Sequence, residues 1–224
     1  MTSATNRDAV MFDLDGTLAD TLEDLAAAGN HALAAVDRPG HPVERYRTLV
    51  GRGLERLMID ALGHDHADRV PAAAAAFLTY YADHRYDHTG PYEGVAELLD
   101  ALSAARLPMA VLSNKPDAAA VDMVGRLFAR WSFAAVRGQR EGCPVKPDPA
   151  GALAVCAQVG VPADRWIYVG DSDVDMQTAR AAGFYAVGVA WGFRGRDELV
   201  AAGADVVVET PGEILKVLGV GADR

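Results

Sequence analysis

The stretch Val10-Met11-Phe12-Asp13-Leu14-Asp15-Gly16-Thr17 decides how this chain is read. The apolar run from Ala9 to Phe12 predicts a buried strand. It stops at two aspartates two residues apart, followed by Gly16 and Thr17. Asp13 therefore stands at the strand's C-terminal end, where open α/β sheets bind their ligands. A D-x-D pair by itself is most often a surface loop. Here three more polar pieces follow, each closing its own apolar run: Ser113-Asn114, Lys146-Pro147, and Gly170-Asp171 through Asp175.

Working outward, Asp20-Thr21-Leu22-Glu23 has the pattern of a capping box and opens a helix to about Val36. Arg38-Pro39-Gly40 ends it. Residues 42–85 read as two or three further helices rich in Ala, Leu and Arg, with a tight turn at Thr48-Leu49-Val50-Gly51-Arg52-Gly53. From Tyr92 onward helices and strands alternate. Strands are predicted at 108–113, 133–136, 166–169, 186–190 and 205–208. Helices are predicted at 93–104, 116–128, 149–159, 173–182 and 212–218, with Asp148 as an N-cap before Pro149. Such alternation implies an α/β fold with a three-layer, parallel-sheet Rossmannoid core. The division expected is residues 1–19 with 88–224 as the core and 20–87 as a small helical unit inserted after the first strand.

The chain has 224 residues, half of them hydrophobic, and a net charge of -10. That length supports one good domain and an insert. No apolar run approaches a membrane span, and the polar start Met1 to Asp8 lacks the apolar centre of a signal peptide. Two cysteines, Cys143 and Cys156, make neither a disulfide framework nor a metal cluster. The expectation is a cytoplasmic protein with no membrane and no nucleic acid as partner, since the charge opposes a phosphate backbone. A small anionic metabolite is compatible, because a local cation and aimed N–H groups overcome the global field. Oligomeric state is not legible.

Asp171 and Asp175, joined by Asp13, offer only oxygen ligands, the donor set that suits Mg²⁺. Lys146 lies in a proline-fixed loop and can offset charge on Asp13 and on an anion. Ser113 and Asn114 can donate hydrogen bonds to phosphoryl oxygens. Gly16 lets the backbone turn closely, and Thr17 brings a hydroxyl beside it. Asp173 reads as solvent-facing or as a helix N-cap, and Lys115 as solvated surface charge. His64-Asp65-His66 reads as a polar interhelical turn, having no third ligand at a recognised spacing. Gly51-Arg52-Gly53 is either a helix break or a substrate-facing loop.

Taken together, F-D-L-D-G-T-L-A-D-T, S-N, K-P and G-D-S-D-V-D-M resemble the haloacid dehalogenase superfamily of aspartate-nucleophile phosphotransferases, over nearly the whole chain. The closer likeness is to its phosphoglycolate phosphatases. That resemblance implies that Asp13 is the nucleophile and forms an aspartyl phosphate. It implies that Asp15 is general acid and base, with its backbone carbonyl on the metal, and that the helical insert is a cap. Its implied substrate is a small phosphorylated metabolite, 2-phosphoglycolate first, and for that substrate the Gly51-Arg52-Gly53 turn offers Arg52 as a partner for the carboxylate through paired hydrogen bonds. Sugar phosphates, N-acetylmuramic acid 6-phosphate, nucleoside monophosphates and pyrophosphate stay open. Asp15 argues against carbon–halogen chemistry, whose enzymes lack it. The absence of a lysine before Lys115 argues against a cap Schiff base. Leu54 stands where β-phosphoglucomutases carry arginine. A phosphoaspartate receiver domain gives Asp15 no role and leaves the insert unexplained.

Overall fold

The computed structural model describes residues 7–220. The N-terminal stretch read above lies outside them as far as Asn6. Strand β1 (Ala9–Phe12) leads through a loop to the two-residue β2 (Ala19–Asp20). Four helices follow: α1 (Leu22–Ala34), α2 (Val43–Leu49), α3 (Leu54–Leu62) and α4 (Val70–His84). The chain returns through β3 (Gly90–Pro91), α5 (Val95–Ala104), β4 (Met109–Pro116), α6 (Asp117–Leu127) and β5 (Ala135–Gln139). Then come α7 (Ala150–Val159), β6 (Trp166–Gly170), α8 (Asp173–Ala182), β7 (Tyr185–Val189), α9 (Arg196–Ala201), β8 (Val206–Val208) and α10 (Pro211–Leu218).

Six strands form one parallel sheet in the order β5-β4-β1-β6-β7-β8. Every residue of β1 is buried, and strand alternation divides them between the two faces. Val10 and Phe12 pack with Leu98 and Leu102 of α5, Met123 of α6 and Ile214 of α10. Ala9 and Met11 pack with Val155 of α7, Met176 of α8 and Leu199 of α9. Helices thus cover both faces, as a parallel sheet requires. The chain leaves β1 towards β4 and β5, and later builds β6, β7 and β8 on the other side. β1 therefore flanks the switch point, where a crevice opens at the strands' C-terminal ends.

The helical block has its own apolar core, built from residues of α1 to α4 and joined from outside by Phe193. Its two chain crossings are tied together: Ala19 pairs with Pro91 and Asp20 with Gly90, antiparallel. Asp24, only 2% exposed, accepts hydrogen bonds from the backbone of His88 and Thr89 and from the Thr89 hydroxyl. A carboxylate in the first turn of α1 thereby fixes where the returning chain enters. No helix among the described residues is long and apolar enough to cross a membrane.

Several local expectations shift. β4 runs on to Pro116 rather than stopping at Ser113. α7 has Pro149 itself at the N-cap, while Asp148 Oδ1 accepts from Ala150 N at 2.8 Å. Thr21 caps α1 without a side-chain bond, and the capping box lies instead at Ser172 and Asp175. The short helix α9 and the β2–β3 ribbon were not anticipated, each being too short to carry a periodic signal.

Candidate active site

Asp13 is the first residue beyond β1, and its backbone N–H donates to Val169 O of the neighbouring strand. This fixes its carboxylate in the crevice at 6% exposure. Gly16 turns the chain at φ +85°, and a Cβ there would lie 2.3 Å from Asp171 Oδ2. Only glycine satisfies both demands. Gly192 makes a matching approach from the other side, where a Cβ would meet Asp171 Cβ at 2.3 Å.

Asp13, Asp171 and Asp175, all buried, bring one oxygen each within 4.8 Å of one another. Lys146 Nζ donates to Asp13 Oδ1 at 2.8 Å and to Asp175 Oδ1 at 2.7 Å. Three buried carboxylates thus face one ammonium. Burial, then the charges of Asp175 and Asp15, push Asp13 up to about 7 against the pull of Lys146. Burial and the charges of Asp175 and Asp13 likewise hold Asp171 well above the usual carboxylate range. Burial disfavours the charged form of Lys146, yet the two aspartates raise its pKa well above that of a free lysine. An excess of buried negative charge on an all-oxygen donor set fits a hard divalent cation. Asp175 already has both oxygens engaged, since Ser172 N and Oγ donate to Oδ2 at 3.0 and 2.6 Å. Asp171 Oδ2 accepts from Phe193 N at 2.7 Å, and Thr17 Oγ1 lies 3.4 Å from Oδ1.

Ser113 and Asn114 are buried at the end of β4. Asn114 binds the Lys146 loop through its amide, donating to Lys146 O and accepting from Lys146 N at 3.0 and 2.8 Å. The same amide donates to Gly51 O of the helical block at 3.0 Å. Asp15 stands apart from the three-carboxylate cluster: Lys115 Nζ donates to its two oxygens at 2.9 and 3.2 Å.

Three side chains lie in places that sequence reasoning did not give them. Lys115 is not solvated; its side chain is 2% exposed and ion-paired with Asp15. The signal was available, because strand alternation puts residue 115 on the same side as Ser113 once β4 is extended. Asp173 is neither free in solvent nor an N-cap, but pairs with Arg52 at 2.7 Å. Arg52 accordingly points to α8 rather than into the cavity over Asp13, whose lining includes its neighbours Gly51 and Gly53. His64-Asp65-His66 lies in a 3₁₀ turn between α3 and α4, as expected of an interhelical connection.

The sequence pattern assigns no role to the segment after β7. Trp191 Nε1 donates to Thr17 O at 3.1 Å, and Phe193 N reaches Asp171. Arg194 Nη2 donates to Thr48 O and Val50 O at 3.2 and 3.1 Å. One short segment thus touches the β1 loop, a cluster carboxylate and the turn of the helical block. Its signal was position alone, at the C-terminal end of a sheet strand.

A cavity open to solvent lies above Asp13 and Asp15, walled by residues of the helical block and of β4. The sequence pattern described as haloacid dehalogenase-like hydrolase matches residues 10–189. A phosphoglycolate phosphatase of Pseudomonas putida is 38% identical over 194 residues, covering 82% of this chain and 70% of the relative. An N-acetylmuramic acid 6-phosphate phosphatase of Pseudomonas aeruginosa is 34% identical over 218 residues, covering 94% of each. A crystal structure from Lactobacillus delbrueckii subsp. bulgaricus superposes with TM-score 0.89 at 32% identity, over 96% of this chain and 100% of the other.

Proposed function

This chain belongs to the haloacid dehalogenase-like hydrolases, and from that premise we propose that it is a Mg²⁺-dependent phosphomonoester hydrolase acting on 2-phosphoglycolate through an aspartyl phosphate on Asp13. The observation that carries this reading is the Lys146 ammonium bridging Asp13 and Asp175 beside Asp171. A carboxylate is a weak nucleophile towards a phosphate dianion unless the repulsion is offset. Lys146 supplies one positive charge at Asp13, and a bound Mg²⁺, held by Asp13, Asp171 and the Asp15 carbonyl, would supply the rest by shielding the phosphoryl oxygens. Asp175, with both oxygens engaged, supports the site by orienting Lys146 and Ser172.

In the reaction, an Asp13 oxygen attacks phosphorus in line and the bond to the leaving oxygen breaks. Asp15, two residues on, delivers a proton to that oxygen, then takes one from the water that cleaves the aspartyl phosphate. Ser113 donates to the phosphoryl oxygens, Thr17 and the turn at Gly16 complete the cradle, and Asn114, with both amide hydrogens engaged by Gly51 and Lys146, holds the Lys146 loop in place. Residues 20–87 are proposed to be a cap over the core of 1–19 with 88–224. Asn114 and Arg194, which hold the cap's 48–51 turn, keep water out of the transfer step.

The Pseudomonas putida relative supports phosphoglycolate. A second reading, N-acetylmuramic acid 6-phosphate, is supported by the Pseudomonas aeruginosa relative. Phosphate release from a panel containing both esters, with Mg²⁺ and with chelator, tests the assignment. Intact-protein mass spectra after acid quench should show a phosphoenzyme in wild type and none in Asp13→Asn. Turnover in excess chelator, or a phosphoenzyme in Asp13→Asn, would refute the mechanism.

A further inference from the structure

Given the phosphatase reading above, we propose that Lys115 and Tyr81 form a subsite for an anionic leaving group, a carboxylate on a short carbon stem, and so set the preference among phosphomonoesters. The cavity over Asp13 and Asp15 has apolar walls from the helical block, among them Leu25, Leu54, Leu57 and Phe77. Apart from Asp13, Asp15, Ser113 and Asn114, the polar side chains on its lining are Lys115 and Tyr81. A polyhydroxylated leaving group would bury hydroxyls against leucine and phenylalanine without partners, at a cost for each. A cationic one would meet the Lys115 ammonium. A short carboxylate needs two donors and little else.

Those two donors are adjacent. Lys115 Nζ donates to Tyr81 Oη at 2.7 Å while it holds Asp15. The Tyr81 hydroxyl therefore acts as acceptor, and among the described residues no acceptor is found for its own hydrogen. Tyr81 is 4% exposed, and a buried donor left unpaired at a cavity wall is a place for a ligand atom. The phenol donates to one oxygen of the carboxylate, and the ammonium, by turning the longer of its two bonds to Asp15 towards the ligand, donates to the other through a charge-assisted hydrogen bond. The pair is also composite: Lys115 comes from β4 of the sheet and Tyr81 from α4 of the helical block. It exists only when the block lies over the core, so the carboxylate is read in the arrangement that encloses the reacting atoms.

The test compares 2-phosphoglycolate with its uncharged isostere 2-phosphoglycolamide, each assayed as kcat/KM, with p-nitrophenyl phosphate as a general phosphatase substrate. Wild type should favour the carboxylate, and Lys115→Met should lower that preference about 10- to 100-fold, the worth of a hydrogen bond to a charged group. Tyr81→Phe keeps the ring and its packing, and should lower the preference about 3- to 10-fold. Melting curves confirm that both variants are folded, and Tyr81→Phe decides the matter if Lys115→Met is not. Equal losses on all three substrates would make the pair a support for Asp15 and overturn the subsite. A wild-type preference near unity, with the aryl phosphate hydrolysed, would overturn the subsite and spare the phosphatase. No hydrolysis of any ester would overturn both.

Discussion

Arg52 Nη2 lies 2.7 Å from Asp173 Oδ2, joining residues 121 apart in sequence. The pair ties the Gly51-Arg52-Gly53 turn to the first turn of α8, two residues before Asp175 and two after Asp171. It directs the arginine to α8, outside the lining of the cavity over Asp13.

Arg52→Ala should therefore lower kcat/KM by a similar modest factor for 2-phosphoglycolate and for an aryl phosphate. Arg52 is half exposed, so the pair is expected to contribute only about 0.2–1 kcal/mol to stability. Asp173→Ala should reproduce the effect, and the double variant should add little to either. Steady-state kinetics on the two substrates checks this. A loss confined to phosphoglycolate would return Arg52 to the substrate.

Chelation and pH should be coupled. Asp13 is pushed up to about 7 from an ordinary carboxylate value of 3.8. A raised carboxylate favours the fold in its protonated form, so that contribution is present below about pH 4 and is lost as pH rises through about 7. The metal-free protein should lose melting temperature across that window, and Mg²⁺ should restore more at pH 8 than at pH 5.5, because binding must displace the proton. Melting curves with Mg²⁺ and with chelator at the two pH values measure this. A metal-induced shift independent of pH would contradict the coupling.

Asp13→Asn should abolish turnover yet raise the melting temperature of the metal-free protein at pH 8. It removes one of three buried negative charges that share one lysine, a gain of roughly 1 kcal/mol or more. Thermal denaturation in chelator checks the sign. A variant less stable than wild type under those conditions would mean that the Lys146–Asp13 pair outweighs the crowding of carboxylates.

Asp24→Ala should destabilise the fold by about 2–4 kcal/mol, since the backbone N–H groups of His88 and Thr89 and the Thr89 hydroxyl lose a charged acceptor. Urea unfolding measures the loss. Asp24→Asn, which keeps an acceptor oxygen, should recover part of it. No change in Asp24→Ala would show that the crossing is held by the β2–β3 ribbon alone.

The sequence by itself determined the sheet and which polar groups gather at the ends of its strands. Buried strands write themselves as apolar runs, and the groups that close those runs, Asp13, Ser113 and Asp171, must lie at one edge of a parallel sheet. That much is local periodicity plus one topological rule. Pairings between distant residues have no such trace. Lys115 reads as solvated charge when the strand is taken to stop at Ser113; strand alternation can turn it inward, but nothing in the sequence names Asp15 and Tyr81 as its partners. Arg52 looked free because Asp173 approaches only once α8 is laid against the sheet. The 191–194 segment carries neither periodicity nor a motif, and its contacts to Thr17, Asp171 and Val50 come from where β7 ends. Burial and partner choice for a charged side chain are properties of the assembled surfaces, so only the tertiary structure decided them.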